Sequence, residues 1–382
     1  MNKTSFWNTL LVTFSLGLAF AAGYVSNDFV EQRTHEYPLL QEAIGILEKY
    51  ALEPLPGEKG MEYGMIRGLL QAYDDPYTIF LEPPQHELQT NQLEGAFGGI
   101  GVKIERGEDR SIVLYPFPDG PGFEAGLLNG DRLVSVDELL ATPETTIEAI
   151  EATFRGPVGE KVKVVITRMP EGEPLTFMIE RRKVALPSVI WHPVHGVPEV
   201  GMLQVTIIAQ TTPDEIVKAV AALQKQGVKY FILDLRGNGG GILDAGVDTA
   251  RLFLKEGIII EQQYRGEAVE QLSVTRPGPL AEIPVVVLVN HNTASAAEII
   301  AGALQANGRA ALMGEPTYGK DTVQLVFQLQ DGSSLHITAA HWWFPGLDFP
   351  LEGIGLNPTL MASDEDWVRD AVDFLLQGVS SQ

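Results

Sequence analysis

The chain has 382 residues, a formal net charge of −23 and a hydrophobic fraction of 45%. That length accommodates two or three domains of about 150 residues, with enough apolar content for a sizeable core. The acidic balance argues against nucleic acid, which needs clustered Lys and Arg, and the lack of cysteine excludes a thiol nucleophile, thiolate metal sites and disulfides.

From Thr4 to Asn27 there is no charged residue, and Phe6 to Val25 is mostly apolar. A run of roughly 20 such residues suffices to cross a bilayer as a helix. Lys3 ahead of the run, with Asp28 and Glu31 beyond it, puts the N-terminus in the cytoplasm and the body outside. Residues 1–27 are therefore expected to be a membrane anchor, with a removed signal peptide as the rival, because Ala19-Phe20-Ala21 offers a small-x-small cleavage site. Either way the working domain is expected to be extracytoplasmic.

Residues 28–90 read as a small helical arm. Leu40, Ile44 and Leu47 share one helical face, and Met65, Leu69 and Tyr73 another. Asp75-Pro76 is expected to stop the second helix and Pro83-Pro84 to end the segment.

Residues 91–184 change character to short strands with two short helices. Gly98-Gly99-Ile100-Gly101-Val102 is a glycine-rich turn running into a strand, and Val162, Val164 and Ile166 alternate as in a half-buried strand. This stretch resembles a PDZ domain. Gly99-Ile100-Gly101-Val102 matches the family's carboxylate-binding loop, and Ala125-Gly126-Leu127 followed by Gly130-Asp131-Arg132-Leu133 matches its central block. The resemblance implies a mixed, mostly β module whose loop N–H groups capture a peptide C-terminus.

Residues 185–376 alternate strands and helices, followed by a short tail at 377–382. Val200 to Ile208 is strand-like, and Thr212-Pro213-Asp214-Glu215 opens a helix. Phe231 to Leu235 is a buried strand running into Arg236-Gly237-Asn238-Gly239-Gly240-Gly241. Ile283 to Val289 is a second buried strand, and a helix begins after Ser295. This order implies an α/β core with a partly parallel sheet and active-site loops at the carboxyl ends of its strands.

Ser295 sits where a strand breaks into a helix, a place that exposes a hydroxyl and aims N–H groups at it. A serine needs a base. His291 and His341 have no acidic partner at a recognisable spacing, and no Gly-x-Ser-x-Gly elbow surrounds any serine. Lys320 could serve if burial lowered its pKa, and Val323, Leu325 and Phe327 would pin it against the core as an alternating strand. On this chemistry alone Lys320 is equally a surface lysine after a turn glycine.

The motifs separate the two. Asn290, Thr293-Ala294-Ser295-Ala296, Glu298-Ile299, Gly319-Lys320 and Gln324, together with Asp234-Leu235-Arg236-Gly237-Asn238-Gly239-Gly240-Gly241, resemble the carboxy-terminal processing, or tail-specific, proteases. The serine-to-lysine separation, 320 − 295 = 25, equals that family's spacing. The likeness runs from about residue 35 to 360 in the family's order of helical arm, PDZ and protease core. It implies an α/β protease core of the crotonase-like ββα spiral type with an inserted PDZ domain. Ser295 is then the acylating nucleophile, Lys320 the general base and Gln324 its support. Backbone N–H groups of Ala296 and of Gly240 or Gly241 would form the oxyanion hole. Three positions depart from the family: Gly239 stands where proline is common, Ala297 where a second serine is common, and Asp321 where glycine is frequent. An acid at 321 would raise the lysine pKa if it pointed inward.

The resemblance implies an exported serine endopeptidase without cofactor or metal, acting on proteins or peptides with accessible C-termini. A homo-oligomer is compatible with it. The competing readings are a catalytically silent peptide-binding or assembly protein on the same fold, which need not keep Ser295, Lys320 and Gln324 together, and an acyl-CoA-type hydratase, which leaves the PDZ-like stretch without a purpose.

Overall fold

The computed structural model describes residues 37–107, 109–118, 120–168, 172–346, 351–361 and 366–377. The expected membrane segment at 1–27 and nearly all of the 377–382 tail lie outside them. Among the described residues no helix is long and apolar enough to cross a membrane. The chain divides into two compact units, Met1–Asp74 and Asp75–Gln382.

In the first unit, α1 spans Pro38–Tyr50 and α2 spans Glu58–Tyr73. Both helices form where periodicity places them, yet Leu47, Met65, Leu69 and Tyr73 on their apolar faces are exposed.

The second unit opens with β1 (Ile79–Leu81) and α3 (Pro83–Glu94). The expectation that Pro83-Pro84 ends the helical segment is corrected here: the pair starts a helix. Proline suits the first helical turn, where its missing N–H would have had no intrahelical partner.

Next comes an inserted module. β2 (Ala96–Gly99) pairs antiparallel with β9 (Arg182–Ala185), so its first and last strands are clamped together. Between them lie β3 (Val102–Arg106), β4 (Ile112–Pro116), a one-turn α4 (Pro121–Glu124), β5 (Asp131–Val136), β6 (Leu139–Leu140), α5 (Ile147–Phe154), β7 (Lys161–Thr167) and β8 (Leu175–Glu180). The strands form an antiparallel sheet in the order β3-β4-β5-β7-β8, with β6 on β5. Ile104, Leu114, Leu133, Ile150, Val162, Val164 and Ile166 fill a separate core, as the alternation of β7 predicts.

The remainder is built on a sheet ordered β10 (Val189–Val194), β11 (Val197–Val205), β12 (Tyr230–Asp234), β15 (Val285–Val289), β16 (Leu312–Gly314) and β19 (Leu360–Met361). From β11 onward its pairings are parallel. Both faces are covered, which is why β12 and β15 are continuous apolar runs. Phe231, Leu233, Val285, Val287 and Val289 face a core shared with α6 (Thr212–Lys225), α7 (Leu243–Phe253) and α8 (Ala296–Ala306). Ile232, Val286 and Leu288 face α9 (Trp367–Gln377) through Ala371, Val372 and Leu375.

A second sheet carries β14 (Glu270–Ser273), β13 (Ile258–Tyr264), β18 (Ser334–Trp343) and β1 in that order, with β17 (Thr322–Gln328) also on β18. Here another expectation is corrected. Val323 is buried, but Leu325 and Phe327 are 39% and 50% exposed, so they do not press Lys320 into the core. A register shift between Val323 and Gln324 breaks the alternation, as bulges commonly do beside active sites.

Candidate active site

Three loops leave the carboxyl ends of the adjacent parallel strands β12, β15 and β16, which is where open α/β sheets place their ligands. They carry the glycine run 236–241, Ser295, and the segment that ends at Lys320. Ser295, Lys320, Gln324, Gly239 and Gly241 border one cavity of about 420 Å³.

Ser295 has φ 54° and ψ −122° immediately before α8. Positive φ is costly for a residue with a Cβ and persists only when neighbours over-determine it. The restraints are visible. The Ser295 N–H donates to Glu298 Oε2 at 2.8 Å. The Ala294 N–H donates to the Asn238 carbonyl at 2.9 Å. Thr293 Oγ1 donates to the Leu235 carbonyl at 2.9 Å, and the Gly237 N–H donates to Asn290 Oδ1 at 2.9 Å. The serine loop and the glycine loop thus hold each other. At Gly240 (φ +100°) an added Cβ would lie 2.8 Å from Ser295 Cβ and from the Ala294 carbonyl oxygen, so only glycine lets the loops approach this closely.

Of the two glycines expected to offer an oxyanion donor, Gly240 gives its N–H to Asn238 Oδ1 at 2.9 Å. Gly241 borders the cavity. The bridge from this loop to Ile208 uses the Gly240 carbonyl and the Ile242 N–H, and not the Gly241 N–H. Ala296, the other expected donor, is the first residue of α8, where N–H groups lack intrahelical partners and the helix dipole favours negative charge.

Glu298 is the residue whose importance spacing alone does not reveal. It is fully buried and receives four donors on one carboxylate. These are the Ser295 N–H, Thr317 Oγ1 at 2.5 Å, the Gly319 N–H at 2.7 Å and the Lys320 N–H at 2.9 Å. Burial pushes its pKa up while these donors pull it down. One side chain therefore fixes the backbone of both Ser295 and Lys320. The available sequence signal was Ser295-x-x-Glu298, which has the form of a capping box.

The Lys320 Nζ donates to Gln324 Oε1 at 2.5 Å and lies 4.7 Å from the centroid of the Tyr77 ring. Burial lowers its pKa, with the carboxylates of Asp75 and Glu298 acting the other way. Asp321 does not point at the amine: its Oδ1 is 3.3 Å from His341 Nδ1. Of the two histidines weighed as bases, His291 sits on the surface beside Glu315 at 3.2 Å and His341 is exposed. His336, which the sequence did not single out, does border the cavity; burial lowers its pKa, as do His86 and Lys320.

The loop Gly99-Ile100-Gly101-Val102 lies in the inserted module. Gly101 takes φ +63°, and Ile100 is buried. Ile100, Gly101 and Val102 border a groove of about 280 Å³ with Phe97, Phe117, Phe154 and Arg155. Among the described residues no cluster of His, Asp and Glu could hold a metal ion.

A solved photosystem II D1 C-terminal processing protease aligns over 86% of this chain and 89% of its own, at 28% identity and a TM-score of 0.47. Residues 199–362 match Peptidase family S41. The carboxyl-terminal-processing protease of Synechocystis sp. is 35% identical over 303 residues, 78% of this chain and 70% of that protein. That of Picosynechococcus sp. is 32% identical over 364 residues, 93% of this chain and 83% of the relative. With 32% identity sustained over 93% of this chain and 83% of the Picosynechococcus protein, the chain belongs to peptidase family S41, the carboxyl-terminal-processing proteases, and is a peptidase.

Proposed function

We propose that this peptidase is an exported serine endopeptidase that grips protein C-termini through a PDZ domain at 91–184 and cuts with a Ser295/Lys320 dyad in a crotonase-like core at 185–376. The observation that carries the reading is a strained serine at a helix N-terminus sharing one cavity with a half-buried lysine whose pKa is lowered by burial. Neutral Lys320 takes the proton of Ser295 Oγ as that oxygen attacks the scissile carbonyl. The N–H groups of Ala296 and Gly241 receive the oxyanion, a contribution of about 2.7–4 kcal/mol each. Collapse expels the amine, which takes its proton from Lys320, and water then releases the acyl group by the same route. Gln324 holds the lysine amine through Oε1.

The PDZ assignment draws support from the clamped ends of the module, the left-handed Gly101 and the apolar groove beside it. A peptide would add there as a strand, its carboxylate on the loop N–H groups. Export rests on the uncharged run Thr4–Asn27, which as anchor or signal would carry the body across a membrane.

The test is cleavage of an unfolded protein with an apolar C-terminus, paired with labelling by a fluorophosphonate. Wild type should cut and label, while Ser295→Ala and Lys320→Ala should lose about 10³-fold or more of the activity. Undiminished cleavage by both variants would refute the dyad. Failure of wild type to label would favour a silent binding protein.

A further inference from the structure

The turn Asp75-Pro76-Tyr77-Thr78 reads in sequence as a helix stop, but the fold delivers it to the lysine. β1 follows directly and pairs with β18, with Ile79 opposite His336. The Thr338 N–H on β18 donates to Thr78 Oγ1 at 3.2 Å, so the turn is tied to the strand facing Gln324.

The hydrogen bonds around Asp75 have a direction. Its carboxylate accepts the Tyr77 N–H at 3.0 Å and the Thr78 hydroxyl at 2.5 Å, which leaves the Thr78 oxygen to accept the Thr338 N–H. An ionised carboxylate only accepts, so Thr78 spends its one proton there. The side chain of Thr338 takes the Gln324 amide: Thr338 Oγ1 accepts from Gln324 Nε2 at 3.1 Å. That leaves the Gln324 carbonyl oxygen as the atom offered to Lys320. Were the amide reversed, its N–H would occupy the lone pair of the neutral amine.

A neutral amine has two N–H bonds and one lone pair. With one N–H on Gln324 Oε1 and the Tyr77 ring face against the nitrogen, the lone pair is left for the cavity that Ser295 borders. We infer that Asp75 and Tyr77 are positioning residues for the base: Asp75, through Thr78, holds Thr338 where its hydroxyl takes the Gln324 amide N–H and leaves the amide oxygen to Lys320, and the Tyr77 ring seats the amine. This deepens the Ser295/Lys320 reading and rests on it.

The charged and titratable groups facing Lys320 are few enough to name. Asp75 and Glu298 favour the ammonium. His336, beside His86, opposes it when protonated. Tyr77 is pushed up to about 12 by burial and its bond to Tyr318, and so stays neutral. Burial raises the Asp75 carboxyl, but the Thr78 and Thr338 hydroxyls, the Tyr77 N–H and Lys320 together bring it below the usual range.

The test is steady-state hydrolysis of a chromogenic peptide across pH, with active enzyme counted by fluorophosphonate titration and folding checked by thermal melting. Asp75→Asn should lower the plateau kcat about tenfold or more per active site, leave KM within about twofold and shift the acid limb to lower pH, because a carboxylate favouring the ammonium is gone. Thr338→Val, which breaks the relay but keeps the charge, should lower kcat with the limb in place. Tyr77→Phe, which keeps the ring, should match wild type, while Tyr77→Leu should shift the limb toward acid. An unmoved limb in Asp75→Asn, or a loss explained wholly by fewer active sites, overturns the inference and leaves the dyad standing if Lys320→Ala is dead. If Lys320→Ala retains the wild-type rate, the dyad fails and the inference with it.

Discussion

Two loops with left-handed backbone, one at Gly101 and one at Ser295, solve opposite problems. At Gly101 the positive φ falls on a glycine, costs little, and leaves a loop bordering an open apolar groove. At Ser295 it falls on a residue with a Cβ, and Glu298, Asn238 and Asn290 hold the two loops in place. On the proposed reading, the first arrangement serves reversible capture of a peptide end. The second stores strain where, on the same reading, one hydroxyl and several N–H groups are aimed before substrate arrives. The difference teaches where tolerance to change should lie: the serine loop should fail sharply and the module's loop gradually.

The largest effect is expected at the contact between the loops. Gly240→Ala would drive a Cβ into Ser295 Cβ and the Ala294 carbonyl at 2.8 Å, and kcat should fall about 10²–10³-fold as the oxyanion donors lose register. A wild-type burst of acyl-enzyme in this variant would show that the two loops do not need this closeness. Glu298→Ala should come next. It strands four donors of two loops without water, so we expect a loss of about 2–4 kcal/mol in chemical unfolding alongside a kcat reduced about a hundredfold. Glu298→Gln, which keeps one acceptor, should be milder in both.

A pH profile sharpens the chemistry. A lysine whose pKa lies below its ordinary 10.5 becomes a base as pH rises through that lowered value. The kcat/KM curve should therefore climb with pH and level off before 10.5, and a curve still rising there would remove Lys320 as a buried base. Gly101→Ala should act on binding alone. The strain of φ +63° costs about 1 kcal/mol or more, raising KM for C-terminally recognised substrates several-fold with kcat kept. The smallest effect is expected for Asp321→Asn. Its carboxylate meets His341 rather than the Lys320 amine, so the acid limb should stay where wild type has it, and a shift would show that Asp321 turns inward in the working enzyme.

Much of the fold was legible because period and punctuation agreed. The continuous apolar strands 231–235 and 285–289 announced a sheet buried on both faces, and helix start signals at Thr212 and Ser295 fell where helices begin. Pro83-Pro84 misled because proline marks a helix start as readily as a stop, and only the chain that follows decides. Leu325 and Phe327 misled because alternation identifies a strand but not whether anything covers its apolar side, and among the described residues β17 has a strand neighbour only in β18.

By itself the sequence determined the setting of Ser295, between a buried strand and a helix, since both depend on residues adjacent in the chain. It also determined the glycine run and the Ser-x-x-Glu spacing, whose consequences are local. Only the tertiary structure decided how Lys320 is held. The groups that lower, raise and orient its amine come from Asp75, Tyr77, Glu298, Gln324 and Thr338, which the chain separates widely and the two sheets bring together. A lysine's pKa answers to burial and to charges within a few ångströms, and no pattern in the neighbouring residues records which distant carboxylate will arrive there.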